Sequence, residues 1–282
     1  MTPSRPSRDE VDKEIAAQRR RGDPLRDQLL WRISRLGGDV DLTTPENFAA
    51  FQEVWDGFTV PGLVLRPPPG KSRASAADGG TILIQALLVA RGTVFGLIQR
   101  RLLLGPRLAN HQVLYIHPAF RGHGINLALL ERSFDFYDEL ELDAVYLQAA
   151  MATGRWHWAR VGFDFVRAED RNAVRDWALE VVRATGVRGL RVDRYTSANQ
   201  FAFMGGNRKL SLGAIAQAMP SHATRINEVA QGNGLTMDER IALGRAVMLT
   251  GPTWFGSLEL RGPGRAVFRA YAAGKVARMA RP

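Results

Sequence analysis

The spacing of apolar and polar positions divides the chain into an early helical part and a later sheet-forming part. Residues 8–36 repeat apolar positions at intervals of three and four, which predicts helix. Thr44 followed by Pro45 marks a second helix start, because Thr caps helices well and Pro suits the first helical position. Residues 66–80, "RPPPGKSRASAADGG", are typical of a linker or mobile loop. We therefore interpret 1–75 as an N-terminal helical arm and linker.

Beyond this linker the pattern is that of a sheet. "TILIQALLVA" and "TVFGLIQRRLLL" flank Arg91-Gly92, which predicts an antiparallel hairpin, and "HQVLYI" follows as a third strand. A helix of about fifteen residues should begin at Ile125. Its inward face is predicted to carry Leu127, Leu130, Phe134 and Tyr137. "AVYLQAA" is the next strand, parallel to the previous one if the helix between them is a crossover.

The rest of the chain is mainly helical in pattern until its end. Residues 167–250 form a predicted helical insertion, with "TMDERIALGRAVML" as one clear helix. Asp238 and Glu239 would stand in its first turn, where the helix dipole favours acidic groups. Residues 251–282 are predicted to form a returning strand and a basic C-terminal helix. We interpret 76–282 as one domain that contains this insertion.

Composition narrows the classes of protein. The chain has 282 residues, 45% of them hydrophobic, which suffices for a sizeable core. No apolar run reaches the length of a membrane span, and the N-terminus lacks the apolar stretch of a secretory signal. Without cysteine there are no disulfides or thiolate metal sites. His111, His117 and His123 match no metal-ligand spacing, so we expect no metal. A cytoplasmic location is the expectation.

The charge has two interpretations. A net charge of +10 and a pI near 10.7 attract polyanions such as nucleic acid, an anionic membrane surface or a phosphorylated cofactor. The chain also uses Arg far more than Lys, together with much Ala and Gly. A GC-rich coding bias would produce that composition without any partner. Both interpretations stay open, because charge bears on association and not on fold.

The stretch "IHPAFRGHGINLALL" carries the most specific chemistry. A strand ends, a turn with Gly122 and Gly124 follows, and a helix begins, so the helix's first amides and its dipole point at the turn. The two glycines let an anion approach the backbone without a Cβ in the way, and Arg121 adds charge. The spacing fits neither the dinucleotide-binding nor the NTP-binding glycine motif. The alternative is a strand, turn and helix that bind nothing.

The order of these motifs resembles the acyl-CoA binding core of the GCN5-related N-acetyltransferases, the GNAT superfamily. The superfamily's loop reads Gln/Arg-x-x-Gly-x-Gly/Ala, and Arg121 and Gly124 match its first two anchors, while Asn126 stands at the third. "AAMATGRWHWARVGFDF", with Gly162-Phe163 near its end, resembles the next motif of the superfamily. The resemblance covers roughly residues 80–166, with "WFGSLEL" as a plausible last strand.

The resemblance implies a fold and a cosubstrate. The fold would be α/β, with a mixed, mostly antiparallel central sheet, a splayed parallel strand pair and flanking helices, to which this chain adds N-terminal helices and a helical insertion. Acetyl-CoA or another acyl-CoA would be the cosubstrate, its pyrophosphate on the turn amides and its pantetheine arm along the preceding strand. The implied cofactor-binding residues are Leu114, Tyr115, Ile116, His117, Arg121, Gly122, His123, Gly124, Ile125 and Asn126.

The implied reaction is N-acyl transfer by direct attack of an amine of a peptide, protein or small molecule. Such a reaction needs a base, an oxyanion donor and a proton for the leaving thiolate. His111 and His117, at the two ends of the central strand, are candidate bases, and Tyr146 is a candidate proton donor. His157 is a further histidine near the site. The superfamily often supplies the proton from a Tyr where this chain has Trp158, which cannot donate it in that way.

Two alternatives to this enzyme remain. The basic charge favours a GNAT-fold protein that acts on or with aminoacyl-tRNA, binding RNA through a basic surface. Trp158 and Asn126 instead favour a non-catalytic module that kept the fold and binds CoA or nucleic acid.

Overall fold

The computed structural model describes residues 8–36 and 38–279, which form two compact units that divide after Val145. The described residues of the first unit form the α-helices α1 (Arg8–Arg21), α2 (Leu25–Leu36), α3 (Pro45–Ala50), α4 (Gln52–Asp56) and α5 (Ile125–Glu139). Its strands are β1 (Asp39–Asp41), β2 (Val64–Arg66), β3 (Arg73–Ser75), β4 (Thr81–Ala90), β5 (Thr93–Leu103) and β6 (Leu108–Ile116). Strand β7 (Ala144–Ala149) crosses the division.

The second unit is mostly helical. Its helices are α6 (Ala152–Arg160), α7 (Ala168–Ala184), α8 (Ala198–Ala202), α9 (Leu212–Ala218), α10 (Ala223–Gly232), α11 (Leu243–Thr250) and α12 (Pro263–Met279). Its strands are β8 (Asp164–Phe165), β9 (Lys209–Ser211), β10 (Arg240–Ala242) and β11 (Trp254–Glu259). The division of the chain into 1–75 and 76–282 stays a prediction.

The hairpin of the first unit lies at the centre of its sheet, whose strand order is β1-β3-β4-β5-β6 with β2 also on β4. Strands β4 and β5 pair from Thr81 with Leu103 to Ala90 with Thr93. The turn residues Arg91 and Gly92 have φ of 48° and 76°, the left-handed conformations that a tight hairpin needs. The predicted hairpin is therefore confirmed.

The segment predicted as a linker is partly sheet. β3 pairs with β1 on one side and with β4 on the other. Ala74 is fully buried, and the buried Ser72 hydroxyl exchanges two 3.0 Å hydrogen bonds with the backbone of Gln85. Small and polar residues gave this segment the composition of a loop. Their backbone and one hydroxyl are what tie it to the sheet.

Helix α5 begins at Ile125 as predicted and covers the first unit's sheet. Leu130, Phe134 and Tyr137 of its predicted inward face are buried, whereas Leu127 is only partly buried. Phe58, which follows α4, packs edge-on against Tyr137 at 6.1 Å between ring centroids. Burial of such aromatic side chains supplies much of the core's stability, because each removes a large apolar area from water.

The second unit corrects one predicted helix. Arg240–Ala242 is a strand paired with Lys209–Ser211, and the helix starts only at Leu243. Asp238 and Glu239 therefore lie in a turn before a strand and not in the first turn of a helix. Burial alternates across Arg240–Ala242 as in a strand, but this run is only three residues long. The apolar positions that follow it repeat with the spacing of a helix, so the sequence pattern predicted helix throughout.

The predicted fold class is confirmed: the sheet is mostly antiparallel with one parallel pair, and helices flank it. The splay of that parallel pair stays a prediction. Within the part of the chain that the structure describes, no helix combines the length and the apolar character that crossing a bilayer requires.

Candidate functional site

The turn after β6 is held in place by backbone and aromatic contacts. His117 donates its amide proton to the Phe95 carbonyl at 2.7 Å, which extends the pairing of β6 with β5 by one residue. Pro118–Phe120 then form one turn of 3-10 helix. The Phe120 ring lies 5.2 Å from the ring of buried Phe95. This packing fixes the direction in which the chain leaves the strand and approaches α5.

Two glycines shape the rest of the turn. Gly122 has φ of 88°, and Gly124, the N-cap of α5, has φ of 79°. Both values lie in the left-handed region, which an L side chain enters at a cost. A Cβ built on Gly122 would meet no atom within 4 Å, so conformation and not crowding requires glycine there. The turn is open on that side.

The amides of this turn are the central feature of the site. Among the described residues, none accepts a hydrogen bond from the backbone N–H of Gly122, His123, Gly124 or Ile125. No side chain caps α5 at its N-cap residue. These donors belong to exposed or partly exposed residues. Four successive N–H groups without an acceptor form a backbone concavity suited to an anion.

Charge around these amides favours the same ligand. The first turn of α5 contains no acidic residue, so nothing there offsets the positive end of the helix dipole. Arg121 folds back so that its Nε donates to the Ile116 carbonyl at 2.9 Å. No carboxylate of the described residues pairs with Arg121. Its two terminal nitrogens keep their hydrogens available for an anion at the turn.

Strand β6 brings the other predicted cofactor residues to the turn. Leu114 and Ile116 are partly buried, while Tyr115 is 40% exposed. The register with β5 shifts between Gln99 and Arg100, which leaves Gln112 as an extra residue in β6. Such a bulge increases local twist and re-aims the strand that follows it. Asn126 lies partly buried in the first turn of α5.

His111 does not fit the predicted role of general base. Its ring is 4% exposed, and Nε2 lies 2.8 Å from the Tyr137 hydroxyl beneath α5. Burial, and then the charge of Arg100, hold the pKa of His111 well below its usual value of 6.5. A base must reach the proton that it removes, and this ring is enclosed by core side chains.

His111 belongs instead to a buried polar cluster with Arg100 and Tyr137. Arg100 is 1% exposed, donates to the carbonyls of Gln99 and Val113, and hydrogen-bonds to Tyr137. Burial raises the pKa of Tyr137, so its hydroxyl stays protonated. Burial also lowers the pKa of Arg100. The cluster ties the bulged part of β6 to α5.

His117 and Tyr146 are more accessible than His111. The exposed His117 ring accepts a hydrogen bond from the Ala119 amide at Nδ1, 3.3 Å away. The proton of the neutral ring therefore sits on Nε2, so the ring offers a donor to its surroundings. Tyr146 is partly buried on β7. His117 and Tyr146 lie on either side of the division between the two units, and each role stays a prediction.

The second motif is built on a close backbone approach. Gly162 has φ of 105°, and a Cβ there would lie 2.3 Å from the Gly264 carbonyl oxygen. Phe163 is fully buried, with the Trp158 ring edge-on at 5.3 Å. His157 contacts Trp158 at 5.0 Å, and burial followed by nearby cations lowers its pKa to about 4. Trp158 and His157 thus pack between α6 and its neighbours.

Sequence reasoning missed the Arg100 cluster. The only signal was a charged residue, Arg100, between Ile98 and Leu102 on the inward face of β5. No three His, Asp or Glu side chains come together as metal ligands within residues 8–36 and 38–279.

Comparison with known proteins returns structures of acetyltransferases. A probable acetyltransferase is 30% identical over 29% of this chain, with a TM-score of 0.26. A GNAT-family acetyltransferase from Staphylococcus aureus Mu50 is 16% identical over 32% of the chain, with a TM-score of 0.28. The chain spans about half the length of these two structures, 47% and 56% respectively. A putative acyl-CoA N-acyltransferase from Klebsiella pneumoniae is 17% identical over 46% of this chain and 85% of its own, with a TM-score of 0.28.

The predicted resemblance to GNAT acetyltransferases is therefore confirmed as a resemblance. With TM-scores this low, the likeness assigns no activity to this chain. No family model and no curated protein matches the sequence.

Proposed function

We propose that this protein is an acyl-CoA-dependent N-acyltransferase. One observation carries the proposal: the amides of Gly122, His123, Gly124 and Ile125 have no acceptor within the described residues, and they stand at the positive end of α5. A diphosphate is the ligand whose several anionic oxygens match such a run of donors. The adjacent Arg121 has free guanidinium hydrogens for the same group.

The rest of the cosubstrate would follow β6. In this proposal the pantetheine arm extends along Leu114 to His117, whose backbone runs directly into the turn. The bulge at Gln112 lies just before this segment and sets its twist. An extended arm that pairs with a strand gains backbone hydrogen bonds without requiring particular side chains.

The chemistry is direct attack. The amine nitrogen forms a bond to the thioester carbonyl carbon, and the resulting oxyanion is stabilised by a backbone N–H. The C–S bond then breaks, and the thiolate of CoA takes a proton. We assign removal of the amine proton to His117 after its Nδ1 leaves the Ala119 amide, and Tyr146 as donor of the thiolate's proton stays a prediction from the sequence. Burial removes His111 from the chemistry and makes it a positioning residue for β6.

A second candidate is a CoA-binding module without activity. Trp158 packed against Phe163, in place of a proton donor, is the observation that favours it. In both candidate functions CoA binds at the turn before α5, and they differ only in whether the protein transfers the acyl group.

Thermal unfolding with and without acetyl-CoA, followed by thiol release over a panel of amines, tests the proposal. A ligand that binds only the native state must raise its melting temperature. We expect a saturable rise and amine-dependent thiol release. A rise without release on any amine supports the second candidate. No rise at millimolar acetyl-CoA contradicts both.

A further inference from the structure

The second unit contains a basic pocket that the proposed acyl transfer does not use. It has a volume of about 520 Å³ and opens beside the β9–β10 pair. Its polar lining is Asn207, Arg208, Lys209 and Arg240. Leu210 is among the apolar residues that complete it. Of the described residues, none that lines this pocket is acidic.

The sequence builds this pocket with a glycine turn and a short strand pair. Gly205 and Gly206 have φ of 82° and 58°, and a Cβ on Gly205 would lie 2.9 Å from the Leu243 side chain. The turn delivers the chain to β9, where Ser211 pairs with Arg240 and Lys209 with Ala242. Residues two apart on a strand share a face, so Lys209 and Arg240 project from the same face of the pair.

The cations of this pocket are poorly compensated within the protein. Arg240 donates to the Lys209 carbonyl at 3.1 Å, and Arg208 donates to the Arg188 carbonyl at 3.5 Å, so each retains further hydrogens. No described residue forms a hydrogen bond or an ion pair with the Lys209 ammonium. Asp238 and Glu239 directly precede Arg240, yet neither is ion-paired with any residue in the described ranges.

Three cations that share one pocket repel each other, and an anion between them relieves that repulsion. We propose that this pocket binds a small organic phosphate. The guanidinium and ammonium groups of Arg208, Arg240 and Lys209 hold the phosphate, because such charge-assisted bonds are the strong ones. The organic part lies against Val187, a partly buried apolar residue of the lining. The volume falls within the range for small-molecule sites, about 300 to 1,000 Å³.

Calorimetry with adenosine monophosphate, and with adenosine as the unphosphorylated match, tests this site. We expect the monophosphate to bind and adenosine not to bind. Lys209→Gln should weaken binding about tenfold, because it removes one charge-assisted contact. Lys209→Arg keeps the charge and should retain the affinity. Lys71→Gln, the same change at an exposed lysine of the first unit, should leave binding unchanged.

Two further titrations distinguish this pocket from the turn before α5 and from a nucleic-acid site. Gly124→Asp should retain monophosphate binding, which distinguishes this pocket from the turn before α5. A 5′-phosphorylated oligonucleotide should bind no more tightly than the monophosphate. The proposal is overturned by absent monophosphate binding, by equal binding of adenosine, or by an affinity that Lys209→Gln leaves unchanged. Tight binding of the oligonucleotide alone would identify a nucleic-acid site and overturn the small-ligand proposal.

Discussion

The polar groups at the two ends of α5 lie in opposite environments, partly or fully exposed at one end and buried and hydrogen-bonded at the other. At its N-terminus, four successive amides lack an acceptor among the described residues, and Arg121 beside them is exposed. Toward its C-terminus, Tyr137 is fully buried with hydrogen bonds to His111 and Arg100. Unpaired donors at a surface suit a ligand from outside the chain. Enclosed and paired groups serve the fold. Changes at the two ends should therefore separate binding from stability.

The largest expected effect is on binding, at the N-terminal end. Gly124→Asp should weaken CoA binding by about a hundredfold or more, because its carboxylate repels the diphosphate at close range. The melting temperature without ligand should fall only slightly, since Asp enters the left-handed region more easily than most residues. Calorimetry with CoA measures the first effect and thermal unfolding the second.

Gly124→Asn is the matched control, because it has the shape of Asp and the same backbone tolerance but no charge. We expect it to lose about tenfold or less in affinity. If the Asn and Asp variants lose affinity equally, backbone strain and not charge governs this position. Unchanged affinity in a folded Asp variant would mean that the diphosphate lies elsewhere.

The next effect is on stability, at the other end of α5. Tyr137→Phe removes the hydroxyl that His111 and Arg100 share, and should lower the free energy of unfolding by about 1 to 3 kcal/mol. CoA affinity should stay within about twofold, because the turn keeps its shape. Urea denaturation and calorimetry check the two parts.

Tyr195→Phe is the control for this change. The Tyr195 hydroxyl forms no hydrogen bond with the described residues, so its loss should cost less than about 0.5 kcal/mol. A Tyr137 variant as stable as the Tyr195 variant would show that the buried cluster contributes nothing. A Tyr137 variant that loses CoA affinity would show that the two ends of α5 are coupled.

Stability should also depend on pH through His111 and His157. The pKa of His111 lies well below 6.5 in the folded protein, and that of His157 is about 4. Unfolding exposes both rings, which then take up protons below pH 6.5. Above pH 6.5 the two histidines therefore do not reduce the free energy of unfolding. As the pH is lowered toward 4, the free energy of unfolding falls by up to about 1.4 kcal/mol per pH unit for each histidine.

Denaturation at several pH values measures this slope. His111→Gln and His157→Gln should each make it shallower, because each removes one group that titrates only after unfolding. A stability that stays level between pH 6.5 and 4 would contradict the lowered pKa of both rings.

The smallest effect is expected at Trp158. Trp158→Phe should change amine-dependent turnover by less than about fivefold, because the indole supplies no proton to the thiolate and Phe retains an aromatic contact with Phe163. Steady-state thiol release measures it. Complete loss of turnover with CoA binding intact would show that the ring positions the acceptor.

The sequence predicted what depends on local pattern. The hairpin at Arg91-Gly92 and the start of α5 follow from turn chemistry and from apolar spacing, and both are confirmed. It did not predict β3, because that strand is held by backbone pairing that composition does not reveal. It also placed His111 in the site, since residue type alone does not show which side of a strand faces the core.

The same limit applies to the candidate site. The sequence was enough to select Gly122, Gly124 and Arg121, because a glycine turn before a helix leaves backbone amides that an anion can bind. That no described residue occupies their amides could be learned only from the folded chain. The basic pocket beside β9 was also invisible, because Lys209 and Arg240 meet through a strand pair that the sequence pattern concealed.

The most direct test follows the four amides themselves. In nitrogen-15 correlation spectra of the protein, titration with CoA should shift the amide signals of Gly122, His123, Gly124 and Ile125 downfield and to saturation, as hydrogen bonding to phosphate requires. The amide signal of Phe134, within the same helix but in the core, should move little. Four amide signals that stay in place at saturating CoA would contradict the claim that these groups bind the diphosphate.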